Sequence, residues 1–245
     1  MKSAIRILSP LLLFLVIIAC MAATVMRNRV YENTVSVWKS MTLSSPNKRR
    51  PHQNYGQALS TAGKLQEALS EFKMVLSLDD DGSVPMRDIY REIGVVYFRL
   101  GLYEESTAAW QKGLEHAPYD AGLMNNLAIA YMRLNRMDEA VSYAEAAARS
   151  SATMPEAFNT LGEIYMKKDE PRKAVESFKR YLYLRPEDSR GYWNTALALR
   201  AAGDIEEALR YTNEFLARER DPRYREAAGK LLEHLNERLR RGNRS

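Results

Sequence analysis

The fold of this chain is decided by residues 155–188, which read PEAFNTLGEIYMKKDEPRKAVESFKRYLYLRPED. In the first half, apolar or small residues recur at i, i+3, i+4 and i+7, the spacing of one helix face. They are Phe158, Leu161, Gly162 and Tyr165. The second half continues this spacing with Ala174, Phe178 and Tyr181 until Pro186 stops it. The stretch predicts two short antiparallel helices that need neighbours to bury their remaining faces.

Two small residues mark where these helices are expected to meet. Gly162 lies on the first predicted helix and Ala174 on the second. We expect the two backbones to approach closely there, with the aromatic side chains filling the space on either side.

The same pattern recurs along the chain with a period of 34 residues. A shift of this length superposes small residues, then aromatic or apolar residues, then alanines. The three sets are Gly94, Ala128, Gly162 and Ala196; Tyr97, Tyr131, Tyr165 and Leu199; and Ala140, Ala174 and Ala208. One more copy, with Gly56 and Phe72, is offset by 38 residues because residues 83–86 are inserted. This period and order of residue types resemble the tetratricopeptide repeat family.

The resemblance implies an all-α fold, a right-handed superhelix of about five full repeats with a half repeat before them and a capping helix after them. The repeats are predicted at 49–82, 87–120, 121–154, 155–188 and 189–222. Residues 1–29 are predicted as a membrane helix, 30–48 as the half repeat, and 223–245 as the capping helix with a basic tail. Trp38 and Met41 should pack on the first repeat, and Tyr224, Leu231, Leu232 and Leu235 on the fifth.

The N-terminal segment predicts a link to a membrane. Residues 7–26 carry no charge, and a helix of about 20 residues spans about 30 Å, the thickness of a bilayer core. Three outcomes remain open: an uncleaved signal anchor, a lipoprotein modified at Cys20 after Ile17-Ile18-Ala19, or cleavage at a small-residue site. All three place the chain at a membrane or across it.

Residues 26–59, MRNRVYENTVSVWKSMTLSSPNKRRPHQNYGQAL, carry a second resemblance. They are similar to the junction between membrane helix and repeats in transmembrane and tetratricopeptide repeat O-mannosyltransferases and related bacterial membrane proteins. The similarity implies an extracytoplasmic or periplasmic repeat region. It does not imply catalysis, because the many membrane helices of those enzymes are missing.

Composition narrows the possible functions. The net charge of +5 permits an anionic partner without requiring one. The single cysteine allows no disulfide within the chain, and His52, His116 and His234 are expected at the surface or at helix ends. No catalytic, phosphate-binding or metal-binding motif is present, so the sequence predicts no enzyme, no cofactor and no metal site.

In the tetratricopeptide repeat family, the first helices of successive repeats line a concave groove that holds partner peptides. The resemblance implies that this groove contains an apolar row, a basic row and polar residues. By position, its lining comprises Arg91, Val95, Phe98, Arg99, Asn125, Ile129, Met132, Arg133, Asn159, Glu163, Met166, Lys167, Arg190, Trp193, Leu197 and Arg200. The set predicts a partner with apolar and acidic residues, although the same residues could simply cover their neighbours and solvate the surface.

Three asparagines occupy related positions in alternate repeats: Asn54, Asn126 and Asn194. An asparagine side chain offers both a donor and an acceptor to a peptide backbone. They are therefore possible backbone-binding residues. The carboxylate clamp of chaperone-binding relatives is not reproduced, which disfavours chaperone tails as partners.

Three functions remain at this point. The first is a membrane-anchored adaptor that binds other proteins at the cell envelope. The second is an accessory subunit of a membrane glycosyltransferase or of a polysaccharide or pilus assembly system. The third is an RNA-binding repeat protein, which is disfavoured because aromatic residues are not interleaved with the basic clusters. The sequence indicates no oligomeric state.

Overall fold

The computed structural model describes the backbone of residues 2–242 and the side chains of residues 14–26 and 34–240. Within that part, the chain forms twelve α-helices and no strand, which confirms the all-α prediction. The helices are α1 Lys2–Ser44, α2 Arg49–Thr61, α3 Leu65–Ser77, α4 Met86–Arg99, α5 Tyr103–His116, α6 Ala121–Arg133, α7 Met137–Ser150, α8 Pro155–Lys167, α9 Pro171–Leu184, α10 Ser189–Ala202, α11 Ile205–Arg218 and α12 Pro222–Gly242.

The helices are grouped in two compact units, one ending at Leu100 and the other beginning at Gly101. In the first unit, α1 packs on α2, α2 on α3, and α3 on α4. In the second unit, each helix from α5 to α12 packs on the next one along the chain, and α6 also contacts α8. Within each unit, neighbours in sequence are therefore neighbours in space, as expected for helix pairs that share one continuous core.

The turn inside each helix pair requires a left-handed backbone conformation. A positive φ occurs once in each of these turns, at Gly63, Gly101, Asn135, Asp169 and Gly203, with values between 57° and 88°. Glycine adopts this region without steric cost, and asparagine and aspartate tolerate it better than other residues. The next amide then bonds back across the turn, as Arg136 N does to Tyr131 O at 2.9 Å. These residues end the first helix of each pair and start the second.

The predicted close approach of α8 and α9 is confirmed. A Cβ atom added to Gly162 would lie 2.6 Å from Cδ1 and Cζ of Phe178, and Ala174 is fully buried. A methyl group has no room at such a distance, so glycine allows the aromatic ring to lie directly against the α8 backbone. The same arrangement recurs at Gly56, whose added Cβ would lie 3.0 Å from Cδ1 of Phe72.

The N-terminal region is one continuous helix rather than an anchor followed by a separate half repeat. The α1 helix runs unbroken from Lys2 to Ser44. Of the predicted membrane segment at 7–26, the side chains of 7–13 lie outside the described residues, so the anchor stays a prediction. No helix among the described residues is long and apolar enough to cross a membrane. Trp38 is partly buried, but Met41 is exposed and the adjacent Thr42 is buried in its place.

The last helix covers the end of the second unit largely as predicted. Leu231 and Leu235 are buried in a cluster with Ala196 and Ala208, and Leu232 is partly buried. Tyr224 does not join them: its ring is 57% exposed, so that part of the prediction was wrong. It lies in the first turn of α12, where the helix has not yet reached the cluster.

His52 is buried, contrary to the surface position expected for the histidines. Its ring lies between two acceptors, with Nε2 2.9 Å from the Pro46 carbonyl oxygen and Nδ1 2.6 Å from the Glu71 carboxylate. A carbonyl oxygen can only accept, so Nε2 carries a proton and donates it. His52 thereby ties the turn after α1 to α3.

Candidate functional site

Three neighbouring helices of the second unit, α6, α8 and α10, carry most of the residues predicted to bind a partner. Helix α6 contacts α8. Asn194 on α10 donates to Asn159 on α8 over 3.2 Å, which joins these two helices through their side chains. We call the surface formed by the predicted residues of these helices the α6–α8–α10 face.

The apolar residues of this face serve mainly to pack the helices together. Met132 is 8% exposed, and Met166 packs against the cluster around Leu199. Trp193 stacks on Phe215 of α11, with ring centroids 5.1 Å apart. The partly buried side chains that remain reachable are Ile129, Met166, Trp193 and Leu197.

The basic residues of the face fall into two groups. Arg190 is held by Asp188, with Nη2 2.7 Å from Oδ2. Arg133, Lys167 and Arg200 are exposed, each lies in the last turn of its helix, and none makes a side-chain hydrogen bond or ion pair with another described residue. The face therefore presents three unpaired positive charges.

The pairing of Arg190 belongs to the cap of α10. Asp188 accepts from the backbone N–H of Arg190 at 3.0 Å and from the Tyr181 hydroxyl. The hydrogen bond from the Arg190 guanidinium lowers the pKa of Asp188 to about 2, although partial burial opposes this shift. Burial, and then the bond to Asp188, raise the pKa of Tyr181 to about 12. This network stabilises the start of the helix.

The asparagines of the face are paired differently from the predicted ladder. Asn159 accepts from Asn194 and donates to Glu163 Oε1 over 2.7 Å. Asn126 is partly buried and has no part in this chain of bonds. Asn125, 34 residues before Asn159 and therefore at the same place in its repeat, is 5% exposed, and its Oδ1 atom has no hydrogen-bond partner. This unsatisfied amide oxygen could not be predicted from the repeat pattern.

The predicted residues of the first unit occupy separate surroundings. Asn54, Arg91, Val95 and Phe98 are partly buried. Arg91 bonds to Asp88 at 2.8 Å. Arg99, although exposed, donates from Nη1 to the carbonyl oxygen of Ser60 at 2.7 Å. Its charge is thus used within the unit.

A second concave feature lies between α10 and α11 and was not predicted from the sequence. This open cleft of about 320 Å³ is lined by Tyr192, Arg210, Tyr211, Glu214 and Arg218. Its two arginines bond to acidic neighbours, Arg210 to Glu207 and Arg218 to Glu214. The guanidinium of Arg218 also stacks on Tyr192, 4.2 Å from the ring centroid. These interactions hold the cleft together and leave its charges satisfied.

Cys20, the predicted lipidation site, is a free and exposed thiol on α1. Its lipidation remains a prediction.

Comparison with known proteins identifies relatives of parts of this chain. Protein FlbA of Caulobacter vibrioides is 29% identical over 153 residues, which cover 62% of this chain and 25% of FlbA. RNA polymerase II-associated protein 3 of Mus musculus is 29% identical over 100 residues, 41% of this chain and 15% of that protein. The chain thus spans a quarter or less of the curated relatives that it matches.

Solved structures share the fold at low sequence identity. A crystal structure of MamA covers 70% of this chain, and 91% of MamA is covered in turn, with a TM-score of 0.62 and 21% identity. YrrB, described as a TPR protein with an unusual peptide-binding site, covers 79% of this chain with 97% of its own length covered, a TM-score of 0.61 and 20% identity.

The model of the tetratricopeptide repeat family matches residues 91–155 and 159–225, more than half of the chain. These matched segments extend from α4 to α12 and include the α6–α8–α10 face. Together with the helix pairs and their shared core, this match shows that the chain belongs to the tetratricopeptide repeat family.

Proposed function

We propose that this chain is a non-enzymatic scaffold that binds a peptide segment of another protein on the α6–α8–α10 face and is held at a membrane by its N-terminal segment. The observation that carries the binding function is the composition of the face. Reachable apolar side chains, exposed cations and side-chain amides lie together on three neighbouring helices. Such a surface supplies both apolar contacts and hydrogen bonds to a peptide. YrrB, which has the same fold, is described as having a peptide-binding site.

The titratable groups that are most perturbed support a scaffold rather than an enzyme. Tyr165 has a pKa raised to about 12 by burial and by its bond to Glu145. Tyr181 and Asp188 are bonded to each other. Perturbed groups in an active site usually face a cavity that admits substrate, whereas these groups bond to neighbouring helices or caps.

The membrane anchor is supported by the part of α1 whose side chains are described. All residues from 14 to 26 are exposed, and none carries a charge. A helix that is apolar around its whole circumference is usually covered by protein or by lipid. We propose lipid here. An extracytoplasmic location of the repeats is part of the proposal, supported by the similarity of residues 26–59 to membrane-helix-to-repeat junctions. The lipoprotein and the accessory subunit of an envelope assembly or glycosyltransferase system remain as alternatives.

The binding function is tested by site-specific photo-crosslinking in intact cells. A photoreactive amino acid replaces Leu197 or Ile129 on the face, and in a matched control it replaces Tyr183, which is 75% exposed on α9. We expect discrete crosslinked proteins from the two face positions and none of the same mass from Tyr183. Equal crosslinking at all three positions, or none at any of them, would contradict the proposal.

The anchor and its orientation are tested by protease treatment of intact spheroplasts, together with the mass of the mature N-terminus. Digestion of the repeats from outside, with the N-terminal segment retained, is the expected result. Protection of the repeats would place them in the cytoplasm. A mass that begins at a lipidated Cys20 would replace the anchor with a lipoprotein.

A further inference from the structure

The unpaired cations of the α6–α8–α10 face stand out against the other charges of the second unit. Most other cations nearby have acidic partners: Arg136 bonds to Glu139 at 2.6 Å and Lys179 to Glu207 at 3.0 Å. Arg133, Lys167 and Arg200 make no such bond with a described residue. A cation in the last turn favours the helix dipole, which gives each one a structural role but leaves its charge open to a partner.

The acidic residue of the face does not neutralise this row. Glu163 is exposed, and its Oε1 atom accepts from Asn159 at 2.7 Å. No hydrogen bond or ion pair joins it to Lys167 or to the two arginines among the described residues. The three cations therefore outnumber this carboxylate, and the face complements a negatively charged partner.

Asn125 indicates what kind of negatively charged partner fits. Its amide oxygen is buried without a donor, and a buried acceptor left unpaired is costly. An N–H group from outside would satisfy it. A protein backbone carries an N–H donor at almost every residue, whereas the phosphates of a nucleic acid or a lipid surface carry acceptors alone. The amide therefore favours a polypeptide.

We infer that Arg133, Lys167 and Arg200, together with Asn125, recognise an acidic polypeptide segment of a partner protein that lies in extended form across α6, α8 and α10. This inference rests on the proposed function, because it names the partner's chemistry at the same face. The cations contact acidic side chains of the segment, and Asn125 accepts a backbone N–H.

The test uses the purified full chain in detergent and peptides of defined sequence. A phage-displayed library of random peptides of about twelve residues, about 40 Å when extended at 3.3 Å per residue, is selected on the immobilised protein. Selected peptides are then synthesised in two forms, one as selected and one with every Asp and Glu replaced by Asn and Gln. Their dissociation constants are measured by fluorescence anisotropy at about 0.15 M salt.

Two triple variants with the same change in net charge locate the binding. The face variant is R133A/K167A/R200A. The control is R172A/R185A/R220A, whose arginines are exposed, form no side-chain ion pair with a described residue, and lie outside α6, α8 and α10. Circular dichroism confirms that both variants are folded. Asn125→Ala tests the backbone contact separately.

We expect the selected peptides to be rich in Asp and Glu. The face variant should bind them at least tenfold more weakly, a loss of about 1.4 kcal/mol, and the control should bind them within twofold of the natural chain. Amide replacement in the peptide should cost a similar factor. Asn125→Ala should weaken binding several-fold, by a factor that does not depend on salt.

The contrary results separate this inference from the proposed function. Selected peptides that bind the face without acidic residues would overturn the inference and leave the scaffold standing. Equal losses in the two triple variants would overturn it by showing general charge attraction. Tighter, face-dependent binding of single-stranded DNA or of anionic vesicles than of any peptide would overturn it in favour of phosphate. If no peptide is selected and no protein crosslinks to the face, both fail together.

Discussion

The contact between Gly162 and Phe178 allows a sharp prediction about what holds the repeats together. In Gly162→Ala, the new methyl carbon would lie 2.6 Å from Cδ1 and Cζ of Phe178, far inside van der Waals contact. The ring is 2% exposed and belongs to a buried cluster with Ala196 and Leu199, which leaves it little room to move. Overpacking of this kind costs about 1–3 kcal/mol.

Helix propensity acts in the opposite direction. Replacing glycine by alanine inside a helix gains about 1 kcal/mol. Because the added atom meets several ring atoms at once, we place the steric cost near 3 kcal/mol. The free energy of unfolding should therefore fall by about 2 kcal/mol in Gly162→Ala.

The measurement is urea denaturation of the full chain, followed by far-ultraviolet circular dichroism. Gly229→Ala is the matched control, because Gly229 lies inside α12 and an added Cβ meets nothing within 4 Å. This control should raise the free energy of unfolding by up to about 1 kcal/mol. The two identical substitutions are thus predicted to have opposite signs.

A second-site change tests the cause. Phe178→Leu shortens the opposing side chain, so the double variant G162A/F178L should lose less stability than the sum of the two single losses, with a coupling of about 1 kcal/mol or more. If Gly162→Ala were as stabilising as Gly229→Ala, or if the two single losses simply added, the close approach would not be what selects glycine here.

Three further predictions concern side-chain bonding. Because the pKa of Asp188 in the folded chain is about 2, below its usual 3.8, its contribution is complete above about pH 4 and is lost as the pH falls through 2; Asp188→Asn should lower the free energy of unfolding by about 1–2 kcal/mol at pH 7, since the 80% exposed Arg190 is screened by solvent, and by much less at pH 2. His52→Ala should cost about 2 kcal/mol and speed amide exchange in α2 and α3, because the bonds to Glu71 and to a backbone carbonyl are lost; unchanged exchange would contradict this. Asn125→Ala should leave the free energy of unfolding within about 0.5 kcal/mol of the natural chain, because Asn125 Oδ1 has no partner to lose; a loss above about 2 kcal/mol would reveal an internal bond.

Much of the fold follows from the sequence alone. The spacing of Gly162, Leu161 and Tyr165 defines one face of α8, and the 34-residue period repeats that face along the chain. The facing of Gly162 toward α9 was also predictable, because only a small residue permits such an approach. These features depend on helical periodicity and residue volume, which are properties of the local sequence.

Other features required the tertiary structure. The expectations that Met41 and Tyr224 would be covered were wrong, because a position near a helix end is covered only if the adjacent helix extends that far. The burial of His52 depends on Pro46 and Glu71, which approach it from two different elements. Periodicity carries no information about such partners.

The candidate site divides along the same line. The sequence by itself determined that Arg133 and Lys167 occupy equivalent helix ends, because one repeat length separates them. Only the tertiary structure decided that these two cations are unpaired while Arg190 is held by Asp188, and that Asn194 bonds to Asn159. The physical reason is that a repeat fixes where a side chain starts, whereas hydrogen bonds are decided within about 3 Å by neighbours that only folding brings together.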